Sequence, residues 1–317
     1  MALKASALPG PFGTRIDVRH DDKLQHLSDA DREMLRTTFA NNSVTLIRGC
    51  CLDPESHLRV TRLLGEPAIH PVASIRLAGH PEIIEVLHLP SSKEAEISPC
   101  EESGQQVGHL AWHADLMYMP RPSHGALLRA LEVPEKGGET AFVDTTLAYD
   151  RLDDSMKRFL RDKKAAYQLR SDNFRERNKA VDPERFSEVL QPIVHHVPGT
   201  DSVALNISPA AKRIEGLDEA DSAALIHKLL EYTTQEQFSY VHTWLVDDII
   251  IWNNLRTLHS ARGHDPRFRR VLHRTTLEGP ALDSLAIGRP SPAQRPGPSP
   301  GRVKQASTRS VISRSSP

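Results

Sequence analysis

Cysteine is scarce in this chain: there are three in 317 residues, two of them adjacent at Cys50 and Cys51. Three thiols cannot make a disulfide framework, and the start has no charged-then-apolar leader, so a reducing, cytoplasmic setting is expected. Cys50, Cys51 and Cys100 also lack CxxC spacing, which makes them inert thiols rather than metal ligands. No run of eighteen apolar residues exists to span a bilayer. An excess of charge is missing too. The formal net of −1 is too balanced for a surface that must neutralise many phosphates. Nucleic acid and membrane are therefore not expected as partners. Phosphate-cradling GxGxxG and P-loop motifs are absent, and aromatic residues make up only 5%. What the chain does have is 38% hydrophobic residues, enough for a buried core in one large or two small domains. It also has 16 histidines, which prompts a search for metal-ligand spacing.

Residues 284–317 hold six basic residues and no Asp or Glu among Pro, Ser and Gly, and read as a disordered tail after a folded domain spanning 1–283. Without those charges the body is mildly acidic. Ser28 and Asp31 form a capping-box-like start before Met34, Leu35 and Phe39, predicting a helix over 29–41. A strand follows at 43–48. Asp53-Pro54 opens a second amphipathic helix that Gly65 stops. Residues 89–108 are polar, largely acidic and without period, which marks a long loop and makes 90–111 a candidate lid. Helical patterns recur at 146–163 and 218–234, the latter with Leu225, Leu229 and Leu230 on one face. Apolar or alternating runs at 126–131, 202–207, 238–244, 248–252 and 269–277 read as strands. Many short strands with few helices predict a mainly β fold with helical decoration, a barrel or jelly roll rather than a βαβ sheet.

In Trp112-His113-Ala114-Asp115 the His and Asp are two residues apart, and on an extended chain both side chains leave the same face. A third ligand must come from elsewhere. His259, in DIIIWNNLRTLHSARGHD, is the best candidate. Two His and one carboxylate on one side of a metal suit non-haem Fe(II) and O₂ chemistry. Downstream, Arg270, Leu272 and Arg274 share one face of a predicted strand. Paired guanidiniums inside a barrel repel unless anions are supplied, and a dicarboxylate such as 2-oxoglutarate fits their hydrogen-bonding fork. The histidines outside this set have plainer readings. His195-His196 reads as a strand-edge pair facing solvent, and His242, His264 and His273 as satisfied polar residues. Trp112, Trp244 and Trp252 are expected to pack beside the barrel mouth.

WHADLMYMPRPSHGALLRALEVPEKGGETAFVD, followed much later by WNNLRTLHSARGHDPRFRRVLHRTTLEG, resembles the TauD/TfdA family of Fe(II)- and 2-oxoglutarate-dependent dioxygenases. The resemblance joins the HxD, the GG[DE]T, the W-[DN]-N segment and two arginines 11 and 15 residues beyond the distal His, and covers about residues 8–280. It implies a double-stranded β-helix (jelly-roll, cupin-like) core and a site holding Fe(II) on His113, Asp115 and His259. It further implies that Thr140 and Arg270 bind the distal carboxylate of 2-oxoglutarate. Arg274 and His70 would face the primary substrate. His109 stands where the taurine-oxidising member has Asn, and Ala73 where it has Tyr, so the anion grip looks retained while the organic end is remodelled. Asn253 and Leu255 replace the usual Asp and Arg. The implied activity is hydroxylation of a small organic anion (a sulfonate, alkyl sulfate, phenoxyalkanoate or similar acid) by O₂, with release of succinate and CO₂. Two other readings stay open: a non-catalytic cupin-like binding or regulatory protein, and Zn²⁺-dependent hydrolysis on the same triad. Subunit number is left open, a homo-oligomer included.

Overall fold

The run Ile249-Ile250-Ile251-Trp252 has no polar face because it lies between two layers. In the computed structural model, which describes residues 3–22, 24–70, 73–90, 106–168 and 187–287, it forms most of strand β15 (Ile249–Asn253). That strand sits inside an eight-stranded sheet ordered β1 (Lys4–Ala7), β2 (Thr14–Asp22), β3 (Val44–Cys50), β15, β7 (Gly125–Glu132), β17 (Arg270–Leu277), β5 (His80–His88) and β4 (Arg76–Leu77). Every pairing is antiparallel except that of β2 with β3. A four-stranded sheet of β14 (Ser239–His242), β8 (Thr140–Asp144), β16 (Thr257–Ala261) and β6 (Leu110–His113) packs on one face. Ile250 and Trp252 point into the core between the sheets, with Phe142, Tyr240 and Leu272. Ile249 and Ile251 point the other way, into a core with Leu35, Phe39 and Val60. Alternation by two residues thus sends one strand's side chains into two cores. The result is the expected mainly β, jelly-roll architecture.

Two helices close the outer face of the larger sheet. Helix α1 (Asp29–Asn41) begins at the capping box read from the sequence: Ser28 Oγ accepts from Asp31 N–H, and the Asp31 carboxylate accepts from Ser28 N–H. Helix α2 (Pro54–Leu64) is capped by Asp53, which accepts from Ser56 N–H, and ends at Gly65. The expected helix over 146–163 is instead two, α3 (Thr145–Asp150) and α4 (Asp154–Leu160). Asp153 breaks the pattern by capping a fresh start, accepting from Met156 N–H. Helix α5 (Glu219–Thr233) buries Ser222, Ile226, Leu229 and Thr233, so the buried row lies one position away from the predicted Leu225 and Leu230, which are half-buried.

A third core gathers Leu229, the sheet of β10 (Val189–Pro192), β9 (Lys164–Tyr167) and β13 (Ala211–Ile214), and the hairpin of β11 (Val194–His196) with β12 (Val203–Leu205). His195 is buried in this region, its Nε2 hydrogen-bonded to Leu255 O at 2.9 Å, which corrects the solvent-facing reading. Leu282 and Leu285 pack into the same core, and Ala286 bridges to His195, so ordered packing continues a few residues past 283. Residues 288–317, the rest of the expected tail, and residues 91–105 of the expected lid lie outside the described residues. Among the described residues no helix is long and apolar enough to cross a membrane.

Candidate active site

Strand pairing brings the two distant sequence motifs together. β6 runs antiparallel to β16 with His113 opposite His259, and their rings lie 4.1 Å apart. β6 ends at His113, and Asp115 follows in a turn that Leu116 makes possible by adopting φ +58°, where Met119 N–H bonds back to Leu116 O. Asn254 fixes the Asp115 main chain. It accepts from Asp115 N–H at 2.8 Å and donates to Asp115 O at 3.1 Å and Ser123 O at 2.9 Å. One ligand atom from each of His113, Asp115 and His259 can be chosen so that all lie within 4.8 Å of one another. His113 Nε2 is 3.8 Å from Asp115 Oδ1, and His259 Nε2 is 3.7 Å from Asp115 Oδ2.

Protonation in this cluster favours a cation. Burial pushes the Asp115 carboxyl upward, but the Arg274 guanidinium, His259 and His113 outweigh it and hold the group at about 2. Burial lowers both imidazoles below their ordinary value, chiefly against the pull of Asp115 for His113 and with the help of His113 for His259. At neutral pH the set is two neutral imidazoles and one carboxylate, the protonation states that metal ligation needs. His113 Nδ1–H donates to Ala111 O at 2.8 Å, which leaves the Nε2 lone pair for the site. His259 Nδ1 is buried without a hydrogen-bond partner among the described residues. Two nitrogens and a carboxylate clustered this way fit a ferrous ion with open positions for other ligands.

The arginines face the same interior. On β17, Arg270, Leu272 and Arg274 point between the sheets, while His273 and Thr275 point toward α2, where Thr275 bonds His57 and Thr61. Arg274 Nη2 meets Asp115 Oδ2 at 2.5 Å and its guanidinium lies 5.2 Å from the Trp252 ring centre. Arg270 is 9% exposed and donates through Nη2 to Gly138 O at 3.1 Å. Its Nε has no partner, and no carboxylate pairs with it among the described residues. Burial lowers its pKa to about 10. A guanidinium left so poorly compensated is built to receive an anion. Gly137 and Gly138 both have positive φ, and a Cβ on Gly138 would sit 3.0 Å from Arg270 Nε, which explains the paired glycines ahead of Thr140. Thr140 Oγ1 accepts from Trp244 Nε1 at 3.0 Å, so its own proton is free for another acceptor.

Of the other expected substrate contacts, His70 is half-buried. Pro67 bridges Leu277 and Ala68 N–H donates to Thr276 O at the end of β17, and the His70 carbonyl accepts from Arg76 Nε at 2.6 Å. His109 is exposed just ahead of β6. Asn254, in the W-[DN]-N segment, holds the Asp115 main chain, a role the segment's spacing does not show, and Trp244, expected only to pack, orients Thr140. The Arg that the family resemblance expects at Leu255 is missing. Arg256, the next residue, supplies the buried guanidinium instead: Nη2 reaches Thr146 Oγ1 at 2.9 Å and Asp144 Oδ2 at 3.4 Å, and Nε reaches Ser43 Oγ at 3.1 Å. Asn253 Oδ1 accepts from Leu255 N–H at 3.1 Å. Replacing Arg256 by Met leaves Asp144 buried beside no cation, and a loss of roughly 3 kcal/mol in unfolding free energy is expected by denaturant titration.

Comparisons with known proteins agree with this geometry. The family model described as "Taurine catabolism dioxygenase TauD, TfdA family" matches residues 4–276. An (S)-phenoxypropionate/alpha-ketoglutarate-dioxygenase of Delftia acidovorans is 26% identical over 277 residues, covering 83% of this chain and 92% of that protein. An alpha-ketoglutarate-dependent 2,4-dichlorophenoxyacetate dioxygenase of a Burkholderia species is 28% identical over 263 residues, covering 80% of this chain and 87% of that one. A crystal structure of a taurine dioxygenase from Burkholderia xenovorans superposes with a TM-score of 0.70 at 22% identity, covering 88% and 92% of the two chains.

Proposed function

The chain belongs to the TauD/TfdA family of dioxygenases, and we propose that it is an Fe(II)- and 2-oxoglutarate-dependent dioxygenase that hydroxylates a small organic anion with release of succinate and CO₂. The observation that carries this reading is the meeting of His113, Asp115 and His259 within one ligand-sized cluster, together with a buried Arg270 whose Nε has no partner among the described residues. Iron and the keto acid, when bound, would activate O₂, which is the oxidant: oxidative decarboxylation of 2-oxoglutarate to succinate and CO₂ would give two of the four electrons O₂ takes up, and the hydroxylated C–H bond the other two.

The chain's own residues bind and orient. His113, Asp115 and His259 are the proposed iron ligands, with Asn254 holding Asp115 by its main chain. Arg270 and Thr140 would take the distal carboxylate, and Trp244 fixes the direction of the Thr140 proton by occupying a lone pair. Arg274 keeps further N–H donors beyond the one given to Asp115, and these would grip the anionic group of the primary substrate. His70 and His109 are proposed as further substrate contacts. Trp252 and Phe142, with ring centres 4.9 and 6.1 Å from that of His259, wall this side of the site and exclude water.

Both sequence relatives named above act on aryloxyalkanoates, and we favour that class here. Held by its carboxylate on Arg274, such a substrate would present the carbon next to the ether oxygen for oxidation, and hydroxylation there would give a hemiacetal that collapses to a phenol and a carbonyl compound. The test is succinate release across a panel of aryloxyalkanoates, alkyl sulfates and sulfonates. Aryloxyalkanoates are expected to stimulate succinate formation most, and a blank rate with every anion counts against the reading. Arg274→Ala is expected to uncouple succinate from product while leaving 2-oxoglutarate affinity nearly unchanged, as simultaneous assays of both would show. An equal loss on co-substrate and product would reverse the roles given to the two arginines. The non-catalytic alternative drew its support from Asn253 and Leu255, and Arg256 now accounts for the buried cation. A cytoplasmic setting and the absence of nucleic-acid partners remain part of the proposal, on the scarcity of cysteine and the balanced charge.

A further inference from the structure

One buried polar side chain beside the proposed co-substrate pocket has no use in the account so far. His264 is expected to be a satisfied polar residue, yet it is 2% exposed and neither ring nitrogen makes a hydrogen bond of ordinary geometry among the described residues, the Phe268 backbone being its one weak partner. A buried imidazole always carries at least one N–H, and leaving that donor unmet costs stability.

Its surroundings are the walls of the Arg270 pocket. A Cβ on Gly137 would meet the Cα and Cβ of His264 at 3.1 and 3.2 Å, as one on Gly138 would meet Arg270 Nε at 3.0 Å. The same glycine pair is therefore pressed against both residues. The backbone locks this arrangement: Gly138 N–H donates to Gly263 O, and Val107 and His264 exchange both main-chain hydrogen bonds. His88, paired in register with Arg270 across β5 and β17, meets the His264 ring edge-on with centres 5.2 Å apart, and His88 Nε2 is itself bonded to Pro266 O at 2.8 Å. Burial first, then the Arg270 charge and His88, lower the pKa of His264 against the weak hydrogen bond to the Phe268 backbone and the charge of Asp265, and this net lowering favours the neutral ring.

We infer that His264 is a third donor to the distal carboxylate of the keto acid, completing a set with Arg270 and Thr140. A carboxylate offers about four lone-pair sites. Arg270 has an unmet Nε and further N–H groups, and Thr140 has a proton that Trp244 leaves free, so room remains for one more donor. A neutral imidazole supplies it without adding a second positive charge to a pocket that already buries one. The inference rests on the dioxygenase reading and adds a residue to its co-substrate site.

The test is calorimetric titration of the full-length, Mn(II)-loaded protein with two keto acids, 2-oxoglutarate and 2-oxobutanoate. The second has the same chelating end and no distal carboxylate. His264→Phe keeps the ring volume and the edge-on packing on His88 but removes the donor, and His264→Gln returns one. H264F is expected to weaken 2-oxoglutarate binding roughly ten- to hundredfold, the worth of a hydrogen bond to a charged group. H264Q is expected to recover part of that loss, and 2-oxobutanoate to bind all three proteins alike. Unchanged 2-oxoglutarate affinity in a folded H264F overturns the inference, and so does an equal loss for both keto acids, which is the mark of a merely structural role. Should H264F melt early, the comparison of wild type with H264Q decides: equal sensitivity to the two keto acids overturns it. A wild-type protein that takes neither keto acid overturns the dioxygenase reading together with this inference, whereas tight binding by wild type and H264F alike overturns this inference alone.

Discussion

Asp115→Asn is expected to remove metal binding and turnover together while leaving the fold in place. Outer partners of metal ligands typically cost ten- to hundredfold in affinity when lost, and the loss of a charged ligand should exceed about a hundredfold. The fold is expected to survive because Asn254 holds position 115 through its main-chain N–H and C=O, which the substitution does not touch. The charge is what disappears. In the wild type the carboxylate is ionised down to a pH of about 2, with Arg274, His259 and His113 sustaining it against burial. An amide at 115 leaves Arg274 without its anion, so a modest fall in melting temperature accompanies the loss of metal. Metal titration and thermal melting on the same preparation separate the two effects. Collapse of the fold with D115N would mean that the carboxylate is a structural element first.

Arg270→Met is expected to act in the opposite sense on stability and on binding. Binding of 2-oxoglutarate should weaken by about 2 to 4 kcal/mol, because a desolvated carboxylate loses its charged partner. The ligand-free protein should melt no lower than wild type. The sign follows from linkage: burial depresses the folded-state pKa of Arg270 to about 10, below its ordinary value, so the charged form is penalised by folding at every pH where it carries its proton. Met keeps the alkyl stem in contact with its neighbours and removes the buried charge. A weaker co-substrate with an unchanged or higher melting temperature identifies Arg270 as a residue held in strain for its ligand. A lower melting temperature with unchanged co-substrate affinity would assign it a structural role.

Much of this was legible because the signals were local. The capping box at Ser28 and Asp31 and the Asp53-Pro54 start lie within single turns, and the structure begins α1 and α2 where they predict. The face shared by Arg270 and Arg274 follows from strand alternation alone. The break between α3 and α4 was missed because the apolar spacing runs on across it, and only the choice of Asp153 as a cap interrupts the helix. The burial of His195 depends on Leu255, 60 residues away. The bond from Trp244 to Thr140 joins residues 104 apart, and that from Asn254 to Asp115 joins residues 139 apart. Such pairs exist only once β14 lies along β8 and β6 along β16, and no local pattern announces them. The substitution of Leu255 for the usual Arg read as a loss for the same reason: that Arg256 reaches Asp144 and Thr146 is a property of the folded sheet.

His113, Asp115 and His259 are proposed to hold one ferrous ion that a keto acid can chelate. The decisive experiment is anaerobic addition of Fe(II) and 2-oxoglutarate to the purified protein, followed by visible absorbance. A weak charge-transfer band is expected, saturating at one keto acid per protein and missing in Asp115→Asn. Bound iron without that band in the folded wild type, or a band of undiminished strength in D115N, would contradict this assignment.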